Sequence, residues 1–256
     1  MLEYASFPEQ RHTFIRKILQ DEGRVVCTEL SSRLNVSEHT VRRDLKELAS
    51  EGVCKRVHGG AVAILPRTDN LQARAADSSS EKRLLALGAV KLIKQGSCIF
   101  VDAGSTNLQL AKALPDDLAL TVVTNSPLIA VEAMKHPLCE TIILGGRLDK
   151  QTGGSLGITA QLQLNAIHFD QTFLGACAMD PEQGVSAFNY EDAEFKKVLI
   201  ARSNEIIVAL TAEKFPAITR YCVASCDEIS VLLVEESRSK DKIAAFADKD
   251  LTITLV

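Results

Sequence analysis

The sequence lacks any apolar run of the roughly 18 residues that a membrane-spanning helix requires. Its first residues do not show the basic stretch and apolar core of a secretory signal. The seven cysteines are odd in number and scattered, and they form neither a zinc-ligand spacing nor a disulfide framework. These absences predict a cytoplasmic protein with reduced thiols, no metal site and no membrane partner.

A general excess of basic residues is also missing, because the net charge is −4 over 256 residues. The charge is uneven along the chain. Residues 1–60 hold ten Lys and Arg against nine Asp and Glu, whereas the remainder holds nineteen against twenty-four. Only the N-terminal part is therefore suited to phosphate contacts, which predicts site-directed DNA binding with modest non-specific affinity.

The common catalytic and nucleotide-binding motifs are absent in the context that they require. Neither Gly-x-x-x-x-Gly-Lys-Ser/Thr nor Gly-x-Gly-x-x-Gly occurs between a strand and a helix, and the same holds for Gly-x-Ser-x-Gly. The five histidines show no ligand spacing. We therefore expect no catalytic residue and no cofactor.

The N-terminal residues carry a pattern of three helices. An apolar periodicity opens after Pro8 and stops at Gly23, and a second short helix, which Thr28 is placed to cap, precedes a tight turn. Ser37 is a good N-cap for the third helix, residues 38–50. One side of that helix is apolar, with Val41, Leu45 and Leu48, and the other carries Arg42, Arg43 and Lys46. This arrangement is typical of a helix-turn-helix.

Residues 53–62 complete the predicted DNA-binding domain. They read as a small hairpin in which basic residues flank a Gly-Gly turn, so residues 1–62 are predicted to form a winged helix-turn-helix. The N-terminal half of the third helix is expected to meet base edges, with an arginine bound to guanine, while the remaining basic residues contact phosphates. The predicted DNA-binding residues are Ser37, Glu38, His39, Thr40, Arg42, Arg43, Lys46, Lys55, Arg56 and His58.

Residues 63–80 are rich in turn formers and are predicted to be a linker with a possible short helical piece. From residue 81 to 256, helix patterns alternate with apolar strand patterns at 98–102, 120–124, 141–144, 205–210 and 229–234. Continuous apolar strands between helices predict a mostly parallel sheet covered on both faces. The fold class is therefore α/β, with a small N-terminal domain ahead of a larger one.

Three of these predicted strands end in small or hydroxylated residues, where open α/β sheets bind ligands. Gly104 allows close approach of a ligand, and the next helix begins there, which is typical of a phosphate site. The alternative is that the hydroxyls only cap helices and the glycines only turn the chain. Three such loops on one sheet edge favour the ligand site. Its candidate residues are Asp102, Gly104, Ser105, Thr106, Thr124, Asn125, Ser126, Gly145 and Gly146.

The chain resembles the DeoR family of bacterial transcriptional regulators over nearly its full length. The segments 36–45, 51–52 and 56–61 carry the family's DNA-binding signature, and 102–106, 123–126, 144–146 and 214–215 resemble its effector domain. The resemblance implies a C-terminal domain related to ribose-5-phosphate isomerase and glucosamine-6-phosphate deaminase. It also implies a phosphorylated sugar as inducer, a homodimer or homotetramer, and effector contacts from Asp192, Lys196 and Lys214.

This sequence departs from the family pattern near residues 177–180 and 211–213, which indicates an effector unlike those of the best-known members. The leading hypothesis is a DNA-binding repressor that a sugar phosphate releases from double-stranded operator DNA. One alternative is a sugar-phosphate isomerase or deaminase with a DNA-binding appendage, for which Asp102 and Asp192 are candidates only by position. The other is a transcriptional activator, which only promoter geometry distinguishes from a repressor.

Overall fold

The computed structural model describes residues 7–66, 70–76 and 80–256. Six residues of the predicted linker, namely Arg67, Thr68, Asp69, Asp77, Ser78 and Ser79, lie outside the described residues. The helices are α1 (Pro8–Glu22), α2 (Cys27–Leu34), α3 (Glu38–Ser50), α4 (Leu71–Ala76), α5 (Ser80–Val90), α6 (Ser105–Lys112), α7 (Pro127–Ala133), α8 (Ile158–Asn165), α9 (Tyr190–Ala201) and α10 (Glu236–Ile243).

The strands form four sheets, and their bounds are as follows. They are β1 (Arg24–Val26), β2 (Cys54–Val57), β3 (Gly60–Ala63), β4 (Cys98–Val101), β5 (Leu120–Thr124), β6 (Cys139–Ile143), β7 (Arg147–Leu148), β8 (Ser155–Leu156), β9 (Phe169–Leu174), β10 (Ala178–Asp180), β11 (Gly184–Ala187), β12 (Ser203–Leu210), β13 (Tyr221–Ala224), β14 (Val231–Val234) and β15 (Thr252–Leu255).

The N-terminal domain is the predicted winged helix-turn-helix. Helices α1, α2 and α3 pack around Ile15, Leu30 and Leu45, and an antiparallel sheet of order β1-β3-β2 closes the core. Ser37 caps α3 as expected, because its hydroxyl accepts from the backbone N–H of Thr40 at 3.1 Å. The expectation that Thr28 caps α2 is wrong. That helix begins at Cys27, so Thr28 lies inside it; the N-cap position is the extended residue Val26, and no side chain caps the helix.

The larger domain is built on a seven-stranded parallel sheet of order β15-β14-β12-β9-β4-β5-β6. Successive residues of each central strand alternate between the two faces. Phe100 packs with α8 and α9 on one face, whereas Ile99 and Val101 pack with α5, α6 and α7 on the other. The prediction of a mostly parallel sheet covered on both faces is confirmed.

Several strands have no apolar signature and were not predicted. Strand β9 lies in the centre of the sheet, although its sequence includes Asp170, Gln171 and Thr172. The amide of Gln171 is fully buried, donates to Leu92 O at 2.8 Å and accepts from the backbone N–H of Lys94 at 3.1 Å. These bonds offset the cost of burying a polar side chain. An antiparallel sheet of order β10-β11-β13 and the small pair β7-β8 complete the strands.

The two domains touch along the end of β3. The backbone N–H of Ile218 donates to Ala63 O at 3.0 Å, and the N–H of Leu65 donates to Ile218 O at 2.9 Å. The predicted domain limits, 1–62 and 81–256, stay a prediction. Across the described part of the chain, none of the helices combines the length and apolarity needed to cross a bilayer.

Candidate DNA-binding surface and ligand cleft

Helix α3 presents a polar face to solvent. Val41 and Leu45 are buried against the other helices, so Arg42, Arg43 and Lys46 point outward. The side chain of Arg43 is 76% exposed and lies 3.2 Å from Glu47, while Arg42 donates to Glu38 at 2.7 Å. Such exposed i,i+4 pairs contribute only about 0.3–0.5 kcal/mol, so a phosphate or base edge can displace either glutamate at little cost.

The other predicted DNA-binding residues differ in exposure and in the contacts they make. Most lie at the surface at the start of α3 or in the hairpin, and Ser37, His39, Arg56 and His58 are exposed there. Glu38 and Thr40 are half-buried in the first turn of α3. Lys55 also lies in the hairpin, but its ammonium group donates to Gln183 of the larger domain at 2.7 Å. In this structure Lys55 therefore contacts the larger domain.

A buried ion pair holds α3 to α1. Both Asp44 and Arg11 are almost fully buried, and the guanidinium donates twice to the carboxylate, at 2.7 and 2.9 Å. Hydrogen bonding to Asp44 raises the pKa of Arg11, so the guanidinium stays charged. His12 adds a third contact, with Nε2 at 3.3 Å from Asp44 Oδ1. This cluster fixes the orientation of α3, and sequence reasoning missed it because Arg11 lies far from Asp44 along the chain.

The larger domain contains a cleft at the carboxyl ends of β4, β9 and β12. It encloses about 770 Å³, including space open to solvent. Six of the predicted effector residues line it, namely Gly104, Ser105, Thr106, Asp192, Lys196 and Lys214. Sequence reasoning did not predict the others, which are Arg74, Ala103, Asn107, Gln151, Thr152, Leu174, Gly175, Ala176, Cys177, Phe188, Asn189 and Ala209.

One wall of the cleft is a buried ionic cluster. Lys196 lies between two carboxylates, 3.2 Å from Asp102 and hydrogen-bonded to Asp192 one helical turn away. Burial lowers the pKa of Lys196, but the two carboxylates outweigh that effect and raise it overall, so Lys196 remains charged. Asp102 also accepts from the backbone N–H groups of Ala103 and Gly175, both at 2.9 Å. Both oxygens of this carboxylate are therefore occupied, which makes it a structural anchor.

The cleft also offers donors to an anion. Helix α6 begins at Ser105 after the N-cap Gly104, and no side chain caps it. Its first residues line the cleft, so their free N–H groups are candidate donors to a ligand. The hydroxyl of Thr106 is buried and has no hydrogen-bond partner among the described residues. Lys214 donates to Ala176 O at 3.5 Å, the outer limit for a hydrogen bond, and burial lowers its pKa. A bound anion would satisfy all three groups.

The remaining predicted effector residues lie behind or beside the cleft. Asn125 accepts from the backbone N–H of Ala103 at 3.0 Å, and Thr124 donates to Val101 O at 2.6 Å, so both brace the strand ends. The Ser126 hydroxyl is buried at the start of α7. Gly145 and Gly146 lead into β7, where Gly145 N–H donates to Gln163 at 2.7 Å. The side-chain nitrogen of Asn125 and the hydroxyl of Ser126 are buried with no hydrogen-bond partner among the described residues, so the effector role of this group stays a prediction.

Some of the missed lining residues left a readable signal in the sequence. Asn189 caps α9 by accepting from the N–H groups of Glu191 and Asp192, and an Asn ahead of two acids is typical of an N-cap. Cys177 follows the carboxyl end of β9, which is the third strand end at the cleft. Arg74 and Gln151 come from α4 and the β7-β8 turn, and local sequence does not place either near the other strands.

Two segments run from the cleft to the DNA-binding domain. The first continues from Cys177 into β10, and its turn contacts Arg24, which lies 3.5 Å from Asp180 and forms an ion pair with Glu182. The second runs from Lys214 to Ile218, which pairs with the residues after β3. Gly23 lies so close to this segment that an added Cβ would stand 1.9 Å from Pro216 O.

Comparison with family models gives two matches that together span most of the chain. The model described as the DeoR C terminal sensor domain matches residues 77–236, and the DeoR-like helix-turn-helix domain matches residues 11–67. The first match contains the ligand cleft apart from Arg74, and the second contains α3 and the hairpin.

Curated relatives match over most of their length. The HTH-type transcriptional regulator GolR of Listeria innocua is 31% identical over 97% of this chain and 99% of its own. The glycerol-3-phosphate regulon repressor of Escherichia coli K12 is 31% identical over 80% of this chain and 82% of its own. Among solved structures, ribose 5-phosphate isomerase A of Methanocaldococcus jannaschii matches 52% of each chain at 19% identity, with a TM-score of 0.39.

Proposed function

The chain belongs to the DeoR family of DNA-binding transcriptional regulators, and from this we propose that it is a repressor that a phosphorylated sugar releases from its operator. The observation that carries the proposal is the joining of two surfaces in one chain: an exposed recognition helix, and a cleft with an anion-binding end. In this proposal the protein acts in the cytoplasm, where its DNA lies, and catalyses no reaction.

The proposed DNA contacts follow from the exposed face of α3. Arg43 reads a base edge, because it lies in the N-terminal half of the helix and arginine binds guanine in a bidentate way. Arg42, Lys46 and Arg56 contact phosphates. Lys55 joins them only when its hydrogen bond to Gln183 breaks.

The proposed ligand is anionic at one end and hydroxylated at the other. Its phosphate occupies the site formed by the α6 N-terminus, the Thr106 hydroxyl and Lys214. The hydroxyl groups of the sugar face Asn189 and Asp192, which also line the cleft. The name of the E. coli relative, a repressor of the glycerol-3-phosphate regulon, supports a phosphorylated ligand of this class.

Release of DNA requires that the ligand favour one arrangement of the two domains over another. We place the coupling in the segments 177–183 and 214–218, because each has one end in the cleft and the other against the DNA-binding domain. Closure of Lys214 on a phosphate moves the second segment, to which the chain after β3 is hydrogen-bonded. A typical coupling of about 1–3 kcal/mol would change operator affinity some 5–150-fold.

The decisive experiment is fluorescence anisotropy of the protein on DNA from upstream of its own gene, at one fixed salt concentration. A panel of sugar phosphates is compared with the same sugars without phosphate. We expect specific binding that one phosphorylated compound releases. Binding no better than to random DNA would contradict the regulator function, and release by an unphosphorylated sugar would contradict the assigned anion site.

A matched variant separates the two halves of the proposal. Lys214→Met removes the charge at the anion end and leaves α3 unchanged, so operator binding persists while release by the ligand is lost. Lys197→Met is the control, because Lys197 lies on the exposed face of α9 and pairs with Glu194. Turnover of ribose 5-phosphate or glucosamine 6-phosphate by the wild-type protein would instead support the enzyme alternative.

A further inference from the structure

Exposed apolar side chains concentrate at one edge of the seven-stranded sheet. Fifteen large apolar side chains are exposed in the described part of the chain, and nine of them fall between residues 128 and 162. We call these nine the β6 face. Its members are Leu128, Val131, Met134, Leu138, Ile142, Ile143, Leu148, Ile158 and Leu162.

The members of the β6 face come from both sides of the sheet edge. Helix α7 covers one side of the sheet and buries Ile129, so Leu128 and Val131 point outward. Helix α8 covers the other side and buries Leu164, while Ile158 and Leu162, one turn apart, are 69% and 64% exposed. Strand β6 lies between the two helices, so the apolar surface continues across the edge of the sheet.

Strand β6 itself is an open edge. It is last in the strand order and pairs with β5 on one side, whereas its other side forms no ladder within the described residues. Ile142 and Ile143 face opposite sides of the sheet, yet both are exposed. Natural edge strands are commonly protected by lysine or proline, and the sequence of β6 contains neither.

We propose that the β6 face is the contact between two copies of this chain. Nine large apolar residues that are each 38–70% exposed form a surface on the order of the 800 Å² per partner that a stable interface buries. Antiparallel pairing of two β6 strands about a two-fold axis joins the same residues of both copies and satisfies both edges. The same axis would give the dimer two recognition helices, as two-fold operators require.

Sedimentation velocity of the full chain over a wide concentration range tests this interface. The variant Val131→Glu/Leu162→Glu places like charges on both sides of the edge. The control Leu84→Glu/Leu87→Glu alters equally prominent leucines on α5, which are 44% and 54% exposed. We expect the wild type and the control to associate, and the dissociation constant of the β6-face variant to rise at least a hundredfold.

Three results would overturn the proposal: a wild type that stays monomeric throughout, a β6-face variant that associates normally, or dissociation by the α5 control alone. Hydrogen exchange on the wild type avoids the question of whether a variant folds. Amides of β6 should exchange slowly in concentrated protein and faster on dilution, and equal exchange at both concentrations would contradict the interface. Sugar-phosphate binding, which uses the separate cleft, should be unchanged in the β6-face variant.

Discussion

Two lysines of the cleft have opposite electrostatic surroundings and therefore different roles. Lys196 is buried between two carboxylates, which neutralise its positive charge and weaken its attraction for an anionic ligand. Lys214 is partly buried with one marginal hydrogen bond, to Ala176 O. Its charge is the one that an anion can neutralise. The distinction depends on the neighbours of each lysine, since both were equal candidates in the sequence.

The lowered pKa of Lys214 predicts proton-linked ligand binding. Burial lowers this pKa from the ordinary 10.5 in the free protein, and a bound phosphate raises it again. Binding therefore takes up protons in the alkaline range between the two values. Above the pKa that Lys214 has in the free protein, the affinity for the ligand should fall as pH rises, with a limiting slope of about tenfold per pH unit. Calorimetry in buffers of different ionisation enthalpy measures the proton uptake, which Lys214→Met should abolish. Alkaline affinity that is independent of pH would contradict the role of Lys214.

Arg42 and Arg43 form a matched pair for testing base recognition, because each forms an exposed i,i+4 ion pair on α3. Arg43→Ala should weaken binding to the cognate site by about 1–3 kcal/mol and relax specificity at one base pair. Arg42→Ala should weaken cognate and random DNA alike, because phosphates carry no sequence information. Anisotropy titrations on both DNAs distinguish the two. Equal losses on both DNAs for Arg43→Ala would contradict base recognition.

At the scale of elements, the orientation of α3 depends on a polar contact inside an apolar core. Ile15, Leu45 and their neighbours supply the non-directional burial that holds the three helices together. The bidentate pair of Arg11 and Asp44 adds direction, because its geometry is satisfied at one relative position of α1 and α3. This contact therefore helps to set the direction in which the exposed arginines of α3 point.

Breaking this pair should be costly. Asp44→Ala removes the two hydrogen bonds that the buried Arg11 guanidinium donates to this carboxylate, and breaking a buried ion pair destabilises proteins by about 3–5 kcal/mol. Urea unfolding of the N-terminal domain measures the loss. The double variant Arg11→Met/Asp44→Leu is the control, since it removes both charges and should recover most of the stability. A cost for Asp44→Ala of about 1 kcal/mol or less, typical of exposed pairs, would contradict this assignment.

At the scale of the whole molecule, the cleft and the DNA-binding domain are joined by direct contacts. The segment 214–218 spans the distance in five residues, with Lys214 in the cleft and Ile218 hydrogen-bonded to the chain after β3. Gly23 forms the other side of this contact, with a positive φ of 76° and no room for a side chain. This segment is therefore the shortest route along the chain between the cleft and the contact with the DNA-binding domain that the described residues offer.

Gly23→Ala should uncouple ligand binding from DNA binding. The new Cβ would stand 1.9 Å from Pro216 O, so the segment or the DNA-binding domain must move. Gly52→Ala is the matched control, because Gly52 has a φ of 77° and no atom within 4 Å of the added Cβ. Both variants lose about 1–2 kcal/mol to backbone strain. The ligand should change operator affinity less in Gly23→Ala than in the wild type, whereas Gly52→Ala should respond like the wild type. An equal response of the two variants to the ligand would contradict the proposed path.

Local sequence was sufficient for much of this fold. The recognition helix, its N-cap at Ser37 and the apolar strands were predictable because periodicity and capping depend on residues a few positions apart. The fold class followed, since continuous apolar strands must be covered on both faces. Strand β9 was not predicted, because the hydrogen bonds that stabilise the buried side chain of Gln171 come from residues distant in the sequence.

The tertiary structure alone decided how the site residues divide their roles. The sequence placed Asp102, Lys196 and Lys214 at one candidate site. The fold pairs the first two and gives Lys214 only a long hydrogen bond, to Ala176 O. Arg74 and Lys55 acquired their positions in the same way, one in the cleft and one against Gln183. These roles depend on burial and on charges from residues far apart along the chain, which no local pattern encodes.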